Sequence, residues 1–186
     1  MGENRSVPHS SRHSLRIFDH EPAHSPGAQV WKGGATDLTT RTVIADPPRW
    51  LLIADHDPDH PASAPEREPL LRWDLEQINP GDLPSPDTAG GVILVSMNVD
   101  PARDDEFNDW YNMEHIPHFN RLAGVIAARR FRATAGNPRY VALYYVENTD
   151  IYATLGWMAA NETPWILRMR QFQRDRTYFM FRQRIA

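Results

Sequence analysis

The chain has 186 residues, of which 41% are hydrophobic, and its formal net charge is -4 at pH 7. This length suits one ordinary domain, or two small units that share a core. The lack of cysteine excludes disulfides, thiol catalysis and thiolate metal sites. The slightly acidic balance gives no reason to expect nucleic acid or an acidic membrane as partner. Lys32 is the only lysine, so Schiff-base chemistry would depend on that residue alone.

No targeting signal stands out in the N-terminal segment. Residues 1–13 are polar and lack the apolar core of a signal peptide. No run approaches the roughly 20 apolar residues that span a bilayer. We therefore expect a cytoplasmic protein with a flexible N-terminal arm over residues 1–13 and no membrane partner.

The first half of the chain is rich in proline and alternates short apolar runs with turns. β-Branched and aromatic residues predict strands at Leu15–Phe18, Ala28–Lys32, Thr39–Ile44 and Trp50–Ala54. Leu70–Ile78 could form either a helix or a strand. The segment NPGDLPSPDTAG over residues 79–90 is typical of a linker.

The second half begins at Gly91 and has sharper signals. Strands are predicted at Val92–Val99, Val125–Thr134, Tyr140–Glu147 and Thr177–Arg184. Asp100 and Pro101 are a typical N-cap and first helical residue. They predict a helix from about Ala102 to His115, which Pro117 breaks or kinks before a short turn reaches Leu122. Further helices are expected at about residues 150–160 and 163–173.

The predicted order after Gly91 is β-α-β-β-α-β, the ferredoxin-like arrangement of the α+β class, with both helices on one sheet face. The other face of this sheet would have to be covered by a second sheet. The segment Pro48–Ala54 resembles Pro138–Tyr144, which suggests that residues 14–78 form a degenerate repeat of residues 91–186 that lacks the first helix. The two units would then form an α+β barrel. If they pair within one chain the protein could be a monomer, and otherwise a homodimer is expected.

One helical segment concentrates chemically useful side chains. Phe107, Trp110, Tyr111, Glu114, His115 and His118 share one broad helix face by their spacing. A purely structural helix would fill that face with aliphatic residues. Buried polar groups need partners, so this face should line a polar pocket or form a hydrogen-bonded network.

His115 is the leading catalytic candidate, because histidine is the usual general acid or base near neutral pH. Tyr111 lies one turn earlier and could share a pocket with it. Glu114 is a third catalytic candidate, although its side chain diverges from that of His115 by about 100° and could instead hold the helix end. Phe107 is more typical of the core.

The surrounding sequence resembles the EthD-like proteins of the dimeric α+β barrel superfamily over residues 91–186, about half of the chain. The pattern is F-x-x-W-Y-x-x-E-H-I-P, followed by a strand that begins at glycine and ends in Arg-Arg-aromatic. Ala123 departs from it, because these relatives usually carry proline there. The matching residues are Phe107, Trp110, Tyr111, Glu114, His115, Ile116, Pro117, Gly124, Arg129, Arg130, Phe131, Arg139, Tyr140, Leu143, Tyr144, Thr163, Pro164 and Trp165.

The resemblance implies a pocket between the sheet and its helices, but this fold hosts many reactions. We expect a small-molecule substrate, with Trp110, Tyr144 and Trp165 shaping the pocket and His118 contributing to binding. Strand alternation places Arg129 and Arg130 on opposite faces, so that Arg130 could reach the pocket and hold a carboxylate or an enolate.

Metal and haem sites are weaker hypotheses. The pairs His9/His13, His20/His24 and His56/His60 have a spacing that suits two ligands on a helix, but these segments are proline-rich. The segment Asp55–His60 could offer a divalent cation Asp55, His56, Asp57, Asp59 and His60, although a solvated loop is favoured. Nothing in the sequence singles out an axial ligand for haem. We therefore predict no metal and no tightly bound organic cofactor.

These patterns favour an enzyme that performs acid/base chemistry on a hydrophobic, aromatic or polyketide-like substrate. The reaction would be a cyclisation, dehydration, isomerisation or decarboxylation of the lyase or isomerase type, with His115 as acid/base. Two alternatives stay open at this point. One is a cofactor-free monooxygenase in which the bound aromatic substrate activates oxygen, and the other is a non-catalytic small-molecule-binding accessory protein.

Overall fold

In a computed structural model of the protein, residues 12–24, 26–37, 43–56, 67–81 and 83–185 are described. The strands are β1 (Arg12–Phe18), β2 (Ala28–Thr36), β3 (Val43–His56), β4 (Leu71–Asn79), β5 (Gly91–Val99), β6 (Val125–Ala135), β7 (Tyr140–Val146) and β8 (Gln173–Ile185). The helices are α1 (Asp104–Trp110), α2 (Ile116–Phe119), α3 (Leu155–Ala160) and α4 (Pro164–Arg170). Shorter helical turns lie at Pro101–Arg103 and Thr149–Ala153, and a π turn lies at Tyr111–His115.

The eight strands form one closed antiparallel barrel in the order β1-β3-β2-β8-β5-β7-β6-β4. Each half of the chain contributes four adjacent strands, and the halves join where β2 pairs with β8 and β4 pairs with β6. Counted within each half, the strand order is 4-1-3-2 in both. A single chain therefore supplies every strand of the barrel.

The first half differs from its predicted elements in three places. Leu71–Asn79 is a strand, β4, which settles the choice between helix and strand there. Val43–His56 is one long strand in place of two shorter ones, because β2 pairs with it near both ends. Residues 39–42 lie outside the described part. Arg12 and His13, expected in the N-terminal arm, are the first residues of β1, and residues 1–11 lie outside the described part.

Strand alternation divides the apolar residues between two cores. Val92 and Leu94 of β5 point into the barrel, where Trp31, Trp73 and Phe131 are also fully buried. The alternate residues of β5 point outward, against the helices of the second half. This outer core contains Ile93, Val95, Met97, Phe107, Trp110, Tyr111, Ile116, Phe119, Tyr144, Trp157, Ile166 and Met169.

Gly33 lies at the seam where β2 of the first half pairs with β8 of the second half. A Cβ atom at this position would collide with the backbone oxygen of Met180 and come within 2.6 Å of the Phe181 Cα atom. The pairing register also shifts between Lys32 and Gly33. Glycine at this position therefore lets the two halves approach closely enough to close the barrel.

The helix that carries the chemical block begins as predicted. The side chain of Asp100 accepts a hydrogen bond of 3.0 Å from the Ala102 backbone N–H, and Pro101 occupies the first helical position. Three acidic residues lie in the first turn of α1, where they favour the positive end of the helix dipole.

Pro117 does not break this helix, which was one of the two predicted outcomes there. The chain widens into the π turn at Tyr111–His115, in which the Ile116 N–H donates to the Tyr111 carbonyl, and α2 follows directly. Proline has no N–H to donate to the preceding turn, and the π turn removes the need for that bond. We call residues 104–119 the site helix.

The later elements begin and end within a few residues of their predicted bounds. Thr154 divides the expected helix at residues 150–160 into a short turn and α3, because its hydroxyl caps the Trp157 N–H. Thr163 caps α4 in the same way, and β8 begins at Gln173, four residues earlier than predicted. No helix in the described part of the chain is both long enough and apolar enough to cross a membrane.

Candidate active site

The site helix and strand β7 bring three predicted site residues into one hydrogen-bonded chain. The Nε2 atom of His115 lies 2.8 Å from the hydroxyl oxygen of Tyr144, and the Tyr144 hydroxyl is also hydrogen-bonded to Tyr111. Tyr111 and His115 are four residues apart, at the two ends of the π turn. The imidazole is therefore linked through two phenol groups to the space beside Tyr111.

The three side chains are almost fully buried, and burial decides their charge. Burial, with smaller effects from the positive charges of Arg130, His118 and Arg170, lowers the pKa of His115 to about 3. Burial raises the pKa of Tyr111 to about 12 and that of Tyr144 well above its ordinary value. At neutral pH the chain is therefore an uncharged imidazole and two uncharged phenols.

Arg130 of strand β6 places a cation beside this chain. Its side chain is 1% exposed, and burial lowers its pKa only to about 10, so it stays protonated at neutral pH. Its Nη2 atom donates a 2.7 Å hydrogen bond to the side-chain oxygen of Asn108. The buried Nε and Nη1 atoms have no hydrogen-bond partner among the described residues. Such donors are costly to bury unpaired.

Aromatic rings hold the Arg130 guanidinium in place. Its central carbon lies 4.2 Å from the ring centroid of Tyr111, 4.8 Å from that of Tyr140 and 5.0 Å from that of Phe107. Cation–π contacts of this kind stabilise a cation without neutralising its charge. The Nε and Nη1 donors of Arg130 therefore lie beside these rings without an acceptor among the described residues.

Glu114 is engaged elsewhere. Its Oε1 atom accepts hydrogen bonds from the Thr163 hydroxyl at 2.6 Å and from the Trp110 indole N–H at 3.2 Å. Thr163 also caps α4. Glu114 therefore fastens the site helix to the start of α4 and fixes the Trp110 ring, which packs 4.5 Å from the imidazole of His115 between ring centroids. These contacts do not include the His115 hydrogen-bonded chain.

The remaining predicted site residues lie at the edge of this arrangement. His118 is half-buried on α2, and its charge acts on His115. Trp165 is half-buried at the start of α4, where it packs against the outer core. Phe107 is fully buried between Trp110, Tyr111 and Tyr140, as expected for a core residue.

Sequence reasoning missed four residues of the site. Asn108 holds Arg130, and Tyr140 stacks on it while donating a 2.8 Å hydrogen bond to Asp104. Arg176 and Tyr178 of β8 point to the same outer face as Met180, because Phe179 and Phe181 point into the barrel. Alternation along the predicted strand TYFMFR was a signal for Tyr178, but it does not show which face meets the helix.

Arg129 points to the barrel interior, opposite to Arg130, as strand alternation predicts. It is fully buried and donates to Gln77 at 2.8 Å, to Ser85 at 2.8 Å and to Asp55 at 3.3 Å. His13 shares a 2.8 Å hydrogen bond with Asp55. This interior network, composed of His13, Asp55, Gln77, Ser85, Arg129 and Tyr145, ties residue 85 of the linker to the end of the barrel.

The histidine-rich loop cannot be judged as a metal site as a whole, because Asp57, Asp59 and His60 lie outside the described residues. Asp55 is bonded to His13 and Arg129 in the interior network. Among the residues that are described, no group of three or more histidine, aspartate or glutamate side chains is arranged to hold a metal ion.

No protein-family model and no curated protein sequence matches this chain. Solved structures do have the same fold. A major regulator of staphylococcal pathogenesis has a TM-score of 0.57 at 7% identity, covering 92% of this chain and 99% of that one. A Fusobacterium nucleatum protein named as a monooxygenase has a TM-score of 0.55 at 9% identity, covering 96% and 95%. A haem-degrading enzyme of Listeria monocytogenes has a TM-score of 0.52 at 7% identity, covering 92% and 98%.

The identities are too low to carry an activity from one protein to another, and the similarity concerns the fold alone. The chain has a ferredoxin-like α+β fold with a closed antiparallel eight-stranded barrel and few helices. A Listeria monocytogenes ferredoxin-fold protein, which is described as related to antibiotic biosynthesis monooxygenases, shares this fold at 9% identity.

Proposed function

We propose that this protein is an enzyme that binds the anionic form of an oxygenated aromatic molecule between the site helix and the sheet. The observation that carries the proposal is Arg130, a buried guanidinium with two N–H-bearing nitrogens unpaired among the described residues. Tyr111 lies against it as a neutral phenol, whose O–H can donate to the ligand once the ligand's proton has passed along the hydrogen-bonded chain to His115. Donors gathered in a water-poor site stabilise an enolate or phenolate oxygen strongly.

The reaction that we favour is a cofactor-independent monooxygenation. An enolate of an aryl ketone can itself supply electrons to oxygen, so the protein needs to stabilise the anion and surround the reacting carbon with apolar groups. In the balanced reaction, a CH2 group and O2 give a carbonyl group and water. The CH2 carbon supplies four electrons, one oxygen atom forms the carbonyl, and the other leaves as water with the two hydrogens. Among the fold neighbours, the protein named as a monooxygenase supports this choice.

His115 is the proposed acid/base of this reaction. Because its pKa is low, it begins in the neutral form that can accept a proton through Tyr144 and Tyr111. A negative charge that develops on the substrate at Arg130 would raise the pKa of His115 as the proton moves. Glu114 is better explained as a residue that positions the site helix than as a catalytic group.

The same site would also support proton-transfer chemistry, such as a cyclisation, dehydration, isomerisation or decarboxylation, because these reactions pass through a similar enolate. The hydrogen-bonded chain of His115, Tyr144 and Tyr111 favours this second candidate. Unlike the monooxygenation, these reactions do not need oxygen.

Haem does not fit the residues, since the Nε2 atom of the buried His115 is taken by Tyr144.

Dithranol is a suitable probe, because it is an aryl ketone with an acidic CH2 group between two aromatic rings. The wild-type protein should bind it anaerobically, as followed by tryptophan fluorescence, and consume oxygen faster than spontaneous oxidation does. With ¹⁸O2, one labelled atom should enter the product carbonyl. The R130M variant should bind at least tenfold more weakly. Equal binding by R130M and wild type would refute the anion site, and turnover of an enolisable substrate without oxygen would favour the second candidate.

The membership of the EthD-like family and the internal repeat are further parts of this proposal. The equal strand order in residues 14–78 and 91–186 supports the repeat. Because one chain supplies all eight strands, a monomer needs no partner to complete the barrel, and light scattering should then give a mass near 21.4 kDa. We expect the protein to act in the cytoplasm on a small-molecule substrate.

A further inference from the structure

Asn108 is the direct hydrogen-bond partner of the buried Arg130, and its side chain is neutral. Its Oδ1 atom accepts a hydrogen bond of 2.7 Å from the Nη2 atom of Arg130, whose Nε and Nη1 atoms have no partner among the described residues. Buried charges are usually paired with an opposite charge, because an unpaired charge is costly to remove from water. An amide satisfies one donor of this guanidinium but leaves its positive charge in place.

The amide group of Asn108 is held in one orientation. Its Nδ2 atom donates to the backbone carbonyl of Asp104 at 2.8 Å and to the Tyr140 hydroxyl at 3.3 Å. The Tyr140 hydroxyl in turn donates to the Asp104 carboxylate at 2.8 Å. A rotated amide would place its oxygen against the carbonyl oxygen of Asp104 and its N–H groups against those of Arg130, and both contacts would be repulsive. The amide oxygen therefore faces the guanidinium.

The carboxylate of Asp104 is linked to Arg130 only through these two neutral groups. Its Oδ1 atom accepts the hydrogen bond from Tyr140 and a second one of 3.3 Å from the Nη1 atom of the exposed Arg139. Arg139 therefore neutralises Asp104 at the surface. No ion pair joins Arg130 to a carboxylate in the described part of the chain. The buried guanidinium thus keeps an unmatched positive charge.

The sequence of the site helix is acidic around this position. Residues 104–109 contain four carboxylates, at Asp104, Asp105, Glu106 and Asp109. The polar side chain that faces Arg130 is, in contrast, the amide of Asn108. Aspartate has nearly the same size as asparagine, so it would fit the same space and accept the same hydrogen bond. Its carboxylate would form a charge-assisted bond to the guanidinium and cancel its charge. The neutral residue at position 108 is therefore what leaves this cation without a counter-charge among the described residues.

We propose that Asn108 is a positioning residue that determines specificity, and that it makes the site select an anion because it leaves the charge of Arg130 to be matched by the ligand. This rests on the proposed function and deepens it, since it names the group that favours the phenolate or enolate form over the neutral form. Asn108 acts through Arg130 and not on the reacting atoms. Replacing its amide by a carboxylate should therefore abolish the charge preference without removing the aromatic surroundings of the site.

The test follows 4-nitrophenol, whose neutral and anionic forms have different absorption spectra, in pH titrations of the free and the protein-bound probe. Wild-type protein should bind the anion at least tenfold more tightly than the neutral form, because an opposite charge nearby favours the charged form. N108D should lose this preference and bind the neutral form as tightly as wild type does. N108A should keep the preference, because it removes a hydrogen bond without adding a charge.

The matched control is N112D, which adds the same charge one turn later on the same helix, at an exposed residue that accepts a 3.1 Å hydrogen bond from Asn79. It should keep the wild-type preference for the anion. The same preference in N108D as in wild type, or an equal loss in N108A and N108D, would overturn the role of Asn108 and leave the proposed anion site standing. A wild-type protein that binds only the neutral form would refute that site itself, and the role of Asn108 with it.

A second variant decides the matter if N108D does not unfold cooperatively in urea. D104N removes the remote carboxylate, whose charge acts on Arg130, and it leaves the Asn108 amide unchanged. The preference for the anion should then increase by about two- to threefold. An unchanged or smaller preference in D104N would overturn the proposal in that case.

Discussion

The Nε2 atom of His115 and the hydroxyl oxygen of Tyr144 lie 2.8 Å apart, which ties the π turn of the site helix to strand β7. Aromatic rings surround the imidazole, with those of Trp110 and Phe119 at centroid distances of 4.5 and 4.6 Å. The histidine is thus neutral and held in one orientation. Both properties lead to measurable predictions.

The first prediction concerns stability against acid. The unfolded chain binds a proton at His115 below about pH 6.5, while the folded pKa is lowered to about 3. The free energy of unfolding should therefore be fully retained above pH 6.5 and fall between pH 6.5 and 3, by up to about 1.4 kcal/mol per pH unit. In the H115F variant, this decrease in the free energy of unfolding between pH 6.5 and 3 should disappear, as measured by urea unfolding at several pH values. The control H24Q changes an exposed histidine and should keep the slope. A wild-type slope in H115F would contradict this prediction.

The second prediction concerns the hydrogen-bonded chain. Y144F should break the link between His115 and Tyr111 and lower the rate of oxygen uptake with dithranol by about ten- to a hundredfold, with little change in binding. Y145F changes the neighbouring residue, which points into the barrel toward Ser85 at 2.9 Å. It should keep the rate. The proposed proton path is wrong if Y144F and Y145F behave alike.

The third prediction concerns Glu114, which we interpret as a positioning residue. E114A and T163A should each lower the free energy of unfolding by about 1–2 kcal/mol, because they remove hydrogen bonds to a half-buried carboxylate. A double-mutant cycle should give a coupling energy of about 1 kcal/mol. The control M113A alters a side chain that is 72% exposed and should change stability little. Additive effects of the two substitutions would show that the 2.6 Å contact contributes no stability.

The fourth prediction concerns the interior network. Burial acts to raise the pKa of Asp55, but hydrogen bonds from His13 and Ser85 and the charge of Arg129 outweigh it and lower the pKa. The stabilising effect should therefore be present above about pH 4 and decrease as the pH falls further. D55N should cost about 2 kcal/mol at pH 7, because it leaves the buried Arg129 without its counter-charge.

The control for D55N is D87N, which removes an exposed ion pair with Arg184 and should have almost no effect. Chemical unfolding at pH 7 and pH 3 measures both variants. The difference between wild type and D55N should be smaller at pH 3. An equal difference at both pH values would mean that the carboxylate charge of Asp55 is not responsible for the effect.

The fifth prediction concerns the seam between the two halves. G33A should lower the free energy of unfolding by more than 2 kcal/mol, because the new Cβ meets the backbone of Met180 and Phe181, which cannot move aside as a side chain would. G156A is a matched control in helix α3, since a Cβ there makes only an ordinary contact with Leu122 at 3.6 Å. It should be neutral or slightly stabilising. Equal melting temperatures for both variants would contradict the close approach at the seam.

The sequence by itself determined much of the second half. Asp100 and Thr163 cap helices through groups only two or three residues away, and Pro101 follows Asp100 at the first helical position, so local spacing is sufficient to predict these starts. The spacing of Phe107, Trp110, Tyr111 and His115 likewise placed them on one face, because helical periodicity is a property of neighbouring residues. The α+β class and the barrel were predicted from the order of such elements.

Only the tertiary structure decided which partners these residues meet. Arg129 and His13 are 116 residues apart, and nothing in the sequence around either one indicates the other. The same holds for Arg130, which meets Tyr111 because β6 lies beneath the site helix, and for Arg176, which enters the site through the pairing of β8 with β5. Local sequence patterns predict which way a side chain points from its own helix or strand. The opposing element is set by strand pairing and packing over long sequence separations. It alone brought Glu114 to Thr163 and left two nitrogens of the buried Arg130 without a partner among the described residues.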